Sequence, residues 1–293
     1  MKSAPTRTGR RDRRFVCLEV ATGKLRWELN PKSALKASEP GYGFASSPLL
    51  LDEWVVLLPA GSSAHSVTAL DRRTGARRWS VPAGAPAEYA SATAWSPGGK
   101  AQVVAQLSDR LIGVSANDGR ILWTVGEAAG GLWTPSVLED GRVFCPTASE
   151  TRLLAPEGGA ARVVWTSPVF EGVMGPVVEI GGMLVGHHKR KLTGIETGTG
   201  HQLWQQSSET DGQLLVWGSW LVFVNDRAGK LIVFAADRTG LAVKSEQQVF
   251  PPTRMETPLA TAQGTLFLRT PTELIALRTE PPPIPATRDQ PSP

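Results

Sequence analysis

The chain has 293 residues, 41% of them apolar and 20% charged, which is ordinary for a globular protein and long enough to bury a large core. It contains no run of about 18 apolar residues, and this excludes a membrane-spanning helix. The formal charge of +4 belongs to one end: residues 1–14 hold Lys2, Arg7, Arg10, Arg11, Arg13 and Arg14 against Asp12, so the remainder is about −1 and carries no nucleic-acid footprint.

In chain order, residues 1–14 read as a basic disordered tail. They lead into Phe15-Val16-Cys17-Leu18-Glu19-Val20, a stretch too short and too soon charged to be the apolar part of a signal peptide. From there one phrase recurs. Two apolar residues flank a small or acidic one, a turn ends in Gly, and Trp follows four residues later. The copies run through Gly23 to Trp27, Gly75 to Trp79, Gly119 to Trp123, and Gly200 to Trp204. A stretched copy joins Leu153-Leu154-Ala155 to Trp165, and another keeps the turn at Gly240 but has Lys244 in place of Trp. The five Trp are 52, 44, 42 and 39 residues apart, the interval of a four-stranded antiparallel unit.

Each part of the phrase has a physical task. Gly supplies positive φ in a hairpin turn, and Thr or Asp just before it can bond the turn backbone. The Trp on the outgoing strand can bury its ring against a neighbouring sheet while its N–H finds a carbonyl. Between the phrases lie further strand pairs. These are 47–51 with 54–58, 134–138 with 142–145, 175–179 with 183–186, and 257–260 with 265–268, which 274–277 follows. A Pro often opens the first of a pair, where its missing N–H does little harm. The fold class expected is therefore all-β, with sheets near 45–81, 92–125, 134–167, 175–206, 213–249 and 257–278, and 24–28 available to join the last. Residues 279–293, opening Glu280-Pro281-Pro282-Pro283, read as a Pro-rich disordered tail.

The phrase Ala69-Leu70-Asp71-Arg72-Arg73-Thr74-Gly75 with Trp79, together with 41–49 and 111–123, resembles the pyrroloquinoline-quinone-like β-propeller repeat proteins of bacterial and planctomycete type. The resemblance spans roughly residues 15–278 and extends distantly to the propeller lipoprotein of the outer-membrane barrel-assembly machinery. It implies a β-propeller of about six blades in this chain. The structural repeat residues are then Trp27, Trp79, Trp123, Trp165, Trp204, Gly23, Gly75, Gly119, Gly200 and Gly240. Two arrangements stay open, a closed six-bladed ring and the C-terminal part of an eight-bladed one, and the basic start favours the second. Relatives of this kind imply a non-catalytic scaffold for protein or ligand binding in the periplasm or cell envelope, with partners unidentified and no nucleic acid among them.

The same superfamily contains quinoprotein alcohol dehydrogenases, whose chemistry needs a quinone, a Ca²⁺ held by several oxygens, a carboxylate base and a pair of adjacent cysteines. Here Cys17 and Cys145 stand far apart and read as buried free thiols, and no acidic cluster stands out beyond turn residues. The expectation is no catalytic, cofactor or metal residues. His187-His188 would point to opposite faces of a strand, and with the cations that follow it reads as a basic hairpin loop. Gly198-Thr199-Gly200 leads into no helix, so it forms no phosphate cradle. Ser46, Ser47 and Ser91 lack a nucleophile elbow. The contact surface expected is the pair of long connections 30–44 and 82–90.

Overall fold

The computed structural model describes residues 14–278 except 42, 127–129, 131, 174, 190, 208–211, 254, 256 and 257. The tail residues 1–13 and 279–293 lie outside the described residues, as do Arg190 and Thr257. The chain divides into two compact units, residues 1–174 and 175–293.

The first unit begins with β1 (Phe15–Leu18) paired to β2 (Leu25–Leu29), followed by a short helix α1 (Pro31–Leu35). The stretch 24–28, considered for the last sheet, is thus mostly β2 and has β1 as its registered partner. Three four-stranded antiparallel meanders follow. The first is β3 (Leu49–Leu51), β4 (Trp54–Leu57), β5 (Val67–Asp71) and β6 (Arg77–Val81). The second is β7 (Thr93–Trp95), β8 (Gln102–Gln106), β9 (Arg110–Ser115) and β10 (Ile121–Gly126). The third is β11 (Ser136–Val137), β12 (Val143–Pro146), β13 (Thr151–Glu157) and β14 (Ala160–Ser167).

The second unit repeats the pattern. It contains β15 (Val177–Ile180), β16 (Met183–His188), β17 (Lys191–Glu196) and β18 (Gln202–Ser207), then β19 (Gln213–Trp217), β20 (Trp220–Asn225), β21 (Lys230–Asp237) and β22 (Gly240–Gln248). A three-stranded sheet of β23 (Ala260–Ala262), β24 (Thr265–Arg269) and β25 (Leu274–Arg278) ends it.

The cores lie between consecutive sheets, and strand periodicity explains how. Successive side chains of a strand point to opposite faces. On β8, Val103 and Ala105 therefore join Val56, Ala69 and Trp79 of the preceding sheet. Val104, between them, joins Val143, Cys145 and Leu154 of the following one. Both strands are buried on both faces, so their inner stretches, 103–105 on β8 and 111–114 on β9, read as unbroken apolar runs rather than alternating ones. In the second unit one core joins the β15–β18 and β19–β22 sheets around Trp204, Leu221 and Phe223. Another joins β19–β22 to β23–β25 around Val222, Val224 and Leu268.

Candidate functional site

In a four-stranded meander the first and third turns share one end, and the second turn shares the other with the connection to the next sheet. The first end carries the glycine turns of the phrase. In the most regular turn, Asp71 Oδ1 accepts from the backbone N–H of Arg73 and Thr74, both at 3.0 Å, and from Thr74 Oγ1 at 3.1 Å. Gly75 N–H closes the turn on the Asp71 carbonyl at 2.8 Å with φ of 72°. Thr22 bonds Glu19, Thr199 bonds Glu196 and Thr239 bonds Asp237 in the same manner, at 2.6, 2.7 and 2.6 Å. These bonds hold all four carboxyl groups below the usual carboxylate range, with the backbone N–H of Thr74 the leading cause at Asp71 and the threonine hydroxyl at the other three.

The turns receive the indoles. Trp27 donates to the carbonyl of Arg72 at 2.9 Å, Trp79 to Ala116 at 3.1 Å and Trp204 to Asp237 at 3.0 Å. Each acceptor stands three residues before the glycine of the next sheet's turn, at Gly75, Gly119 and Gly240. The rings lie against the first two of these glycines: a Cβ on Gly75 would sit 2.7 Å from Trp27, and one on Gly119 would sit 2.8 Å from Trp79. Within their own sheets Trp27, Trp79, Trp123 and Trp204 face a thiol or a small residue across the ladder, Cys17, Ala69, Gly113 and Gly194 respectively. Gly113 and Gly194 have no room for a Cβ beneath Trp123 and Trp204.

The irregular copies use other contacts. Trp123 donates to Gln102 Oε1 at 2.7 Å, and Gln102 Nε2 passes the link to the Gly159 carbonyl at 3.1 Å. Trp165 faces Leu153 in register and lies 6.4 Å from Phe144, ring to ring. Gly240 ends a two-residue hairpin loop, and the amide of Gln206 clasps the neighbouring Leu241 through both its N–H and its carbonyl. Gly23 and Gly200 close their turns on Glu19 and Glu196, both at 2.8 Å.

The other end carries the connections expected to make contacts. The stretch 30–44, read from sequence as an irregular loop, contains α1. Asn30 Oδ1 caps the helix by accepting from Lys32 and Ser33 N–H, Pro31 takes the opening position, and Lys36 ends it at φ of 51°. Asn followed by Pro is itself a helix-start signal. Leu35 is 1% exposed and packs on Val55, Leu57 and Leu70.

Backbone bonds then tie successive connections in the first unit. Ser38 N–H reaches the Ala60 carbonyl, Gly61 reaches Ala87, Ser108 reaches Pro86 and Gly130 reaches Ser108, at 2.8 to 3.0 Å. Just before β3, β7 and β11 runs a row of hydroxyls. Ser47 N–H donates to Ser91 Oγ at 2.8 Å, and Ser91 N–H donates to Thr134 Oγ1 at 2.9 Å. What this rigid end presents outward is Lys32, Lys36 and Glu39, exposed, with Glu88 and Tyr89 half-exposed. In the second unit Asp226 anchors the connection after β22 by accepting from Met255 N–H at 3.0 Å.

The pair His187 and His188 ends β16 and is buried, rather than forming a loop, and His187 lies 5.3 Å from the Phe223 ring. Among the described residues no three His, Cys, Asp or Glu side chains gather to hold a metal ion. Cys17 and Cys145 are free and sit on separate sheets. These residues therefore do not fit the Ca²⁺ and adjacent-cysteine set of a quinone centre. No described helix is long and apolar enough to cross a membrane.

The family model described as outer membrane protein assembly factor BamB matches residues 6–125 and 108–269. No curated protein sequence matches the chain. Among solved structures, BamB from Moraxella catarrhalis is similar with a TM-score of 0.68 at 16% identity, over 91% of this chain and 78% of that one. A putative 6-phosphogluconolactonase from Bacteroides uniformis is similar at 0.52 and 15% identity, over 81% and 78% of the two chains. Quinohemoprotein alcohol dehydrogenase from Comamonas testosteroni is similar at 0.53 and 13% identity, over 80% of this chain and 52% of that one. At such identities the likeness carries the fold, which is a β-propeller of antiparallel blades.

Proposed function

Because this chain belongs to the family described as outer membrane protein assembly factor BamB, we propose that it is a binding scaffold of the cell envelope, one that holds protein partners through the connection-bearing ends of its blades. The observation that carries this reading is the contrast between the two ends in the first unit. At the turn end the indoles of Trp27 and Trp79 fill the space over Gly75 and Gly119, and the short turns leave only single side chains such as Arg73 and Thr74 exposed between them. The connection end is fixed by backbone bonds from Ser38 to Ala60 and from Gly61 to Ala87, yet presents Lys32, Lys36, Glu39, Glu88 and Tyr89 outward. A surface already rigid before contact loses little entropy on binding, which favours recognition. A mixed-charge rim around an aromatic residue suits a protein partner.

The test is affinity capture from envelope and soluble fractions of the native cell, comparing the wild-type chain with one in which 83–88 is replaced by Gly and Ser. The expected result is recovery of the chain in the envelope fraction with defined partners that the replacement loses. Recovery of every partner by the replaced chain, or a chain confined to the soluble fraction, would contradict the reading.

A further inference from the structure

Three residues at the connection end of the β3–β6 sheet, none of them among those named above as facing outward, form a connected polar group. Ser80 on β6 is directly opposite Thr68 on β5, and their hydroxyl oxygens are 2.7 Å apart. His65, in the loop before β5, places Nδ1 2.7 Å from the same Ser80 oxygen. With a neutral imidazole two proton assignments use both contacts; in the tautomer that leaves Nδ1 bare, Ser80 donates to His65 and Thr68 donates to Ser80. Thr68 is fully buried, whereas Ser80 and His65 are half-exposed. Burial, and then the cations Arg77 and Lys36, hold the imidazole below its ordinary pKa, so it is a free base at neutral pH.

We propose that Ser80 is a reactive hydroxyl that accepts an acyl group from small activated carboxylic esters, with His65 as its base and Thr68 positioning its oxygen. In the step, Ser80 Oγ bonds to the ester carbonyl carbon and the carbon–oxygen bond to the leaving alcohol breaks. The Oγ proton passes to His65 Nδ1 and from there to the departing alkoxide, so no further reactant is needed. The Thr68 hydrogen bond strengthens as charge develops on Ser80 Oγ, because bonds to ionised oxygens are about twice as strong as neutral ones. The group is invisible to a search for a nucleophile elbow, since positions 65, 68 and 80 meet only through the hairpin register. Its test is separate from that of the scaffold reading, because replacement of 83–88 leaves His65, Thr68 and Ser80 in place.

The experiment treats the native full-length chain with p-nitrophenyl acetate and maps acetylated serines by peptide mass spectrometry over time. Ser80 is expected to be acetylated at least about 100-fold faster than any other serine. His65→Gln should slow it by about 10²–10⁴-fold, the range for loss of a positioned base. Thr68→Val should slow it less, and Ser80→Ala should remove the fast site with unchanged tryptophan emission. A wild-type chain whose Ser80 reacts no faster than other serines overturns the proposal, as does an unchanged rate in folded His65→Gln.

Discussion

The indole N–H of Trp79 donates to the carbonyl of Ala116 across 3.1 Å, and the ring takes the space that a side chain on Gly119 would need. One residue thus ends the core of its own sheet and seals the turn of the next. Trp79→Phe keeps much of the apolar ring but leaves the Ala116 carbonyl without its donor, at a cost of about 1–3 kcal/mol. Trp79→Ala should cost about 3–5 kcal/mol, the range for deleting a buried aromatic. Gly119→Ala combines a left-handed backbone with a clash and should cost more than about 1 kcal/mol. Urea unfolding followed by circular dichroism gives all three, and Trp79→Ala as stable as wild type would refute the docking role.

Trp123 has no turn carbonyl of its own and depends on Gln102. That side chain is 1% exposed and bonded at both ends of its amide. Gln102→Met keeps the volume and strands the indole N–H, while the carbonyl of the exposed Gly159 can bond water. The expected loss is about 1–3 kcal/mol in the urea midpoint analysis, for one unsatisfied buried donor. The double variant Gln102→Met, Trp123→Phe should recover part of it, since the stranded donor is gone.

The turn carboxylates make the fold acid-sensitive in a definite direction. Glu19, Glu196 and Asp237 are held below the usual range chiefly by Thr22, Thr199 and Thr239, and Asp71 chiefly by the backbone of Thr74. A depressed folded pKa contributes stability that is fully present above the unfolded pKa, about 4, and is lost as pH falls through the folded value. Melting temperature should therefore be flat near neutrality and fall below about pH 4. Thr22→Val, Thr199→Val and Thr239→Val together should raise the carboxyl pKa values in NMR titrations and shrink the fall between pH 5 and pH 3.

The two thiols should behave differently. Cys145 is 2% exposed and its burial pushes the thiol pKa up, while Cys17 is partly exposed on β1. Since the thiolate is the reactive form, Ellman's reagent should find at most one thiol in the native chain and two in urea. Rapid reaction of both in the native state would contradict the packing of Cys145.

Much of the fold was legible because the recurring phrase encodes it locally. Gly75 and Thr74 define a turn through contacts within five residues, and the spacing of the indoles repeats the size of one sheet. The acceptor of each indole was not legible, because Ala116 and Arg72 contribute only a carbonyl, and a backbone atom leaves no mark on residue identity. The role of Gln102 is hidden for a related reason: it and Gln106 are buried glutamines at the ends of an apolar strand, and their partners lie far off in the chain. The helix after Asn30 shows its cap and its proline in the sequence, but at five residues it is too short to show an apolar period. The pairing of His65 with Ser80 depends on register across a hairpin, which neither residue's neighbours reveal.

The measurement closest to the central claim is site-specific photo-crosslinking in the native cell. A photoreactive residue is placed in turn at Lys32, Lys36 and Glu88 on the connection end, and at Arg73 and Thr74 on the turn end. A discrete protein adduct from the first three positions and none from the last two is the predicted result. Adducts only from Arg73 and Thr74, or none from any position, would contradict a scaffold that binds through its connections.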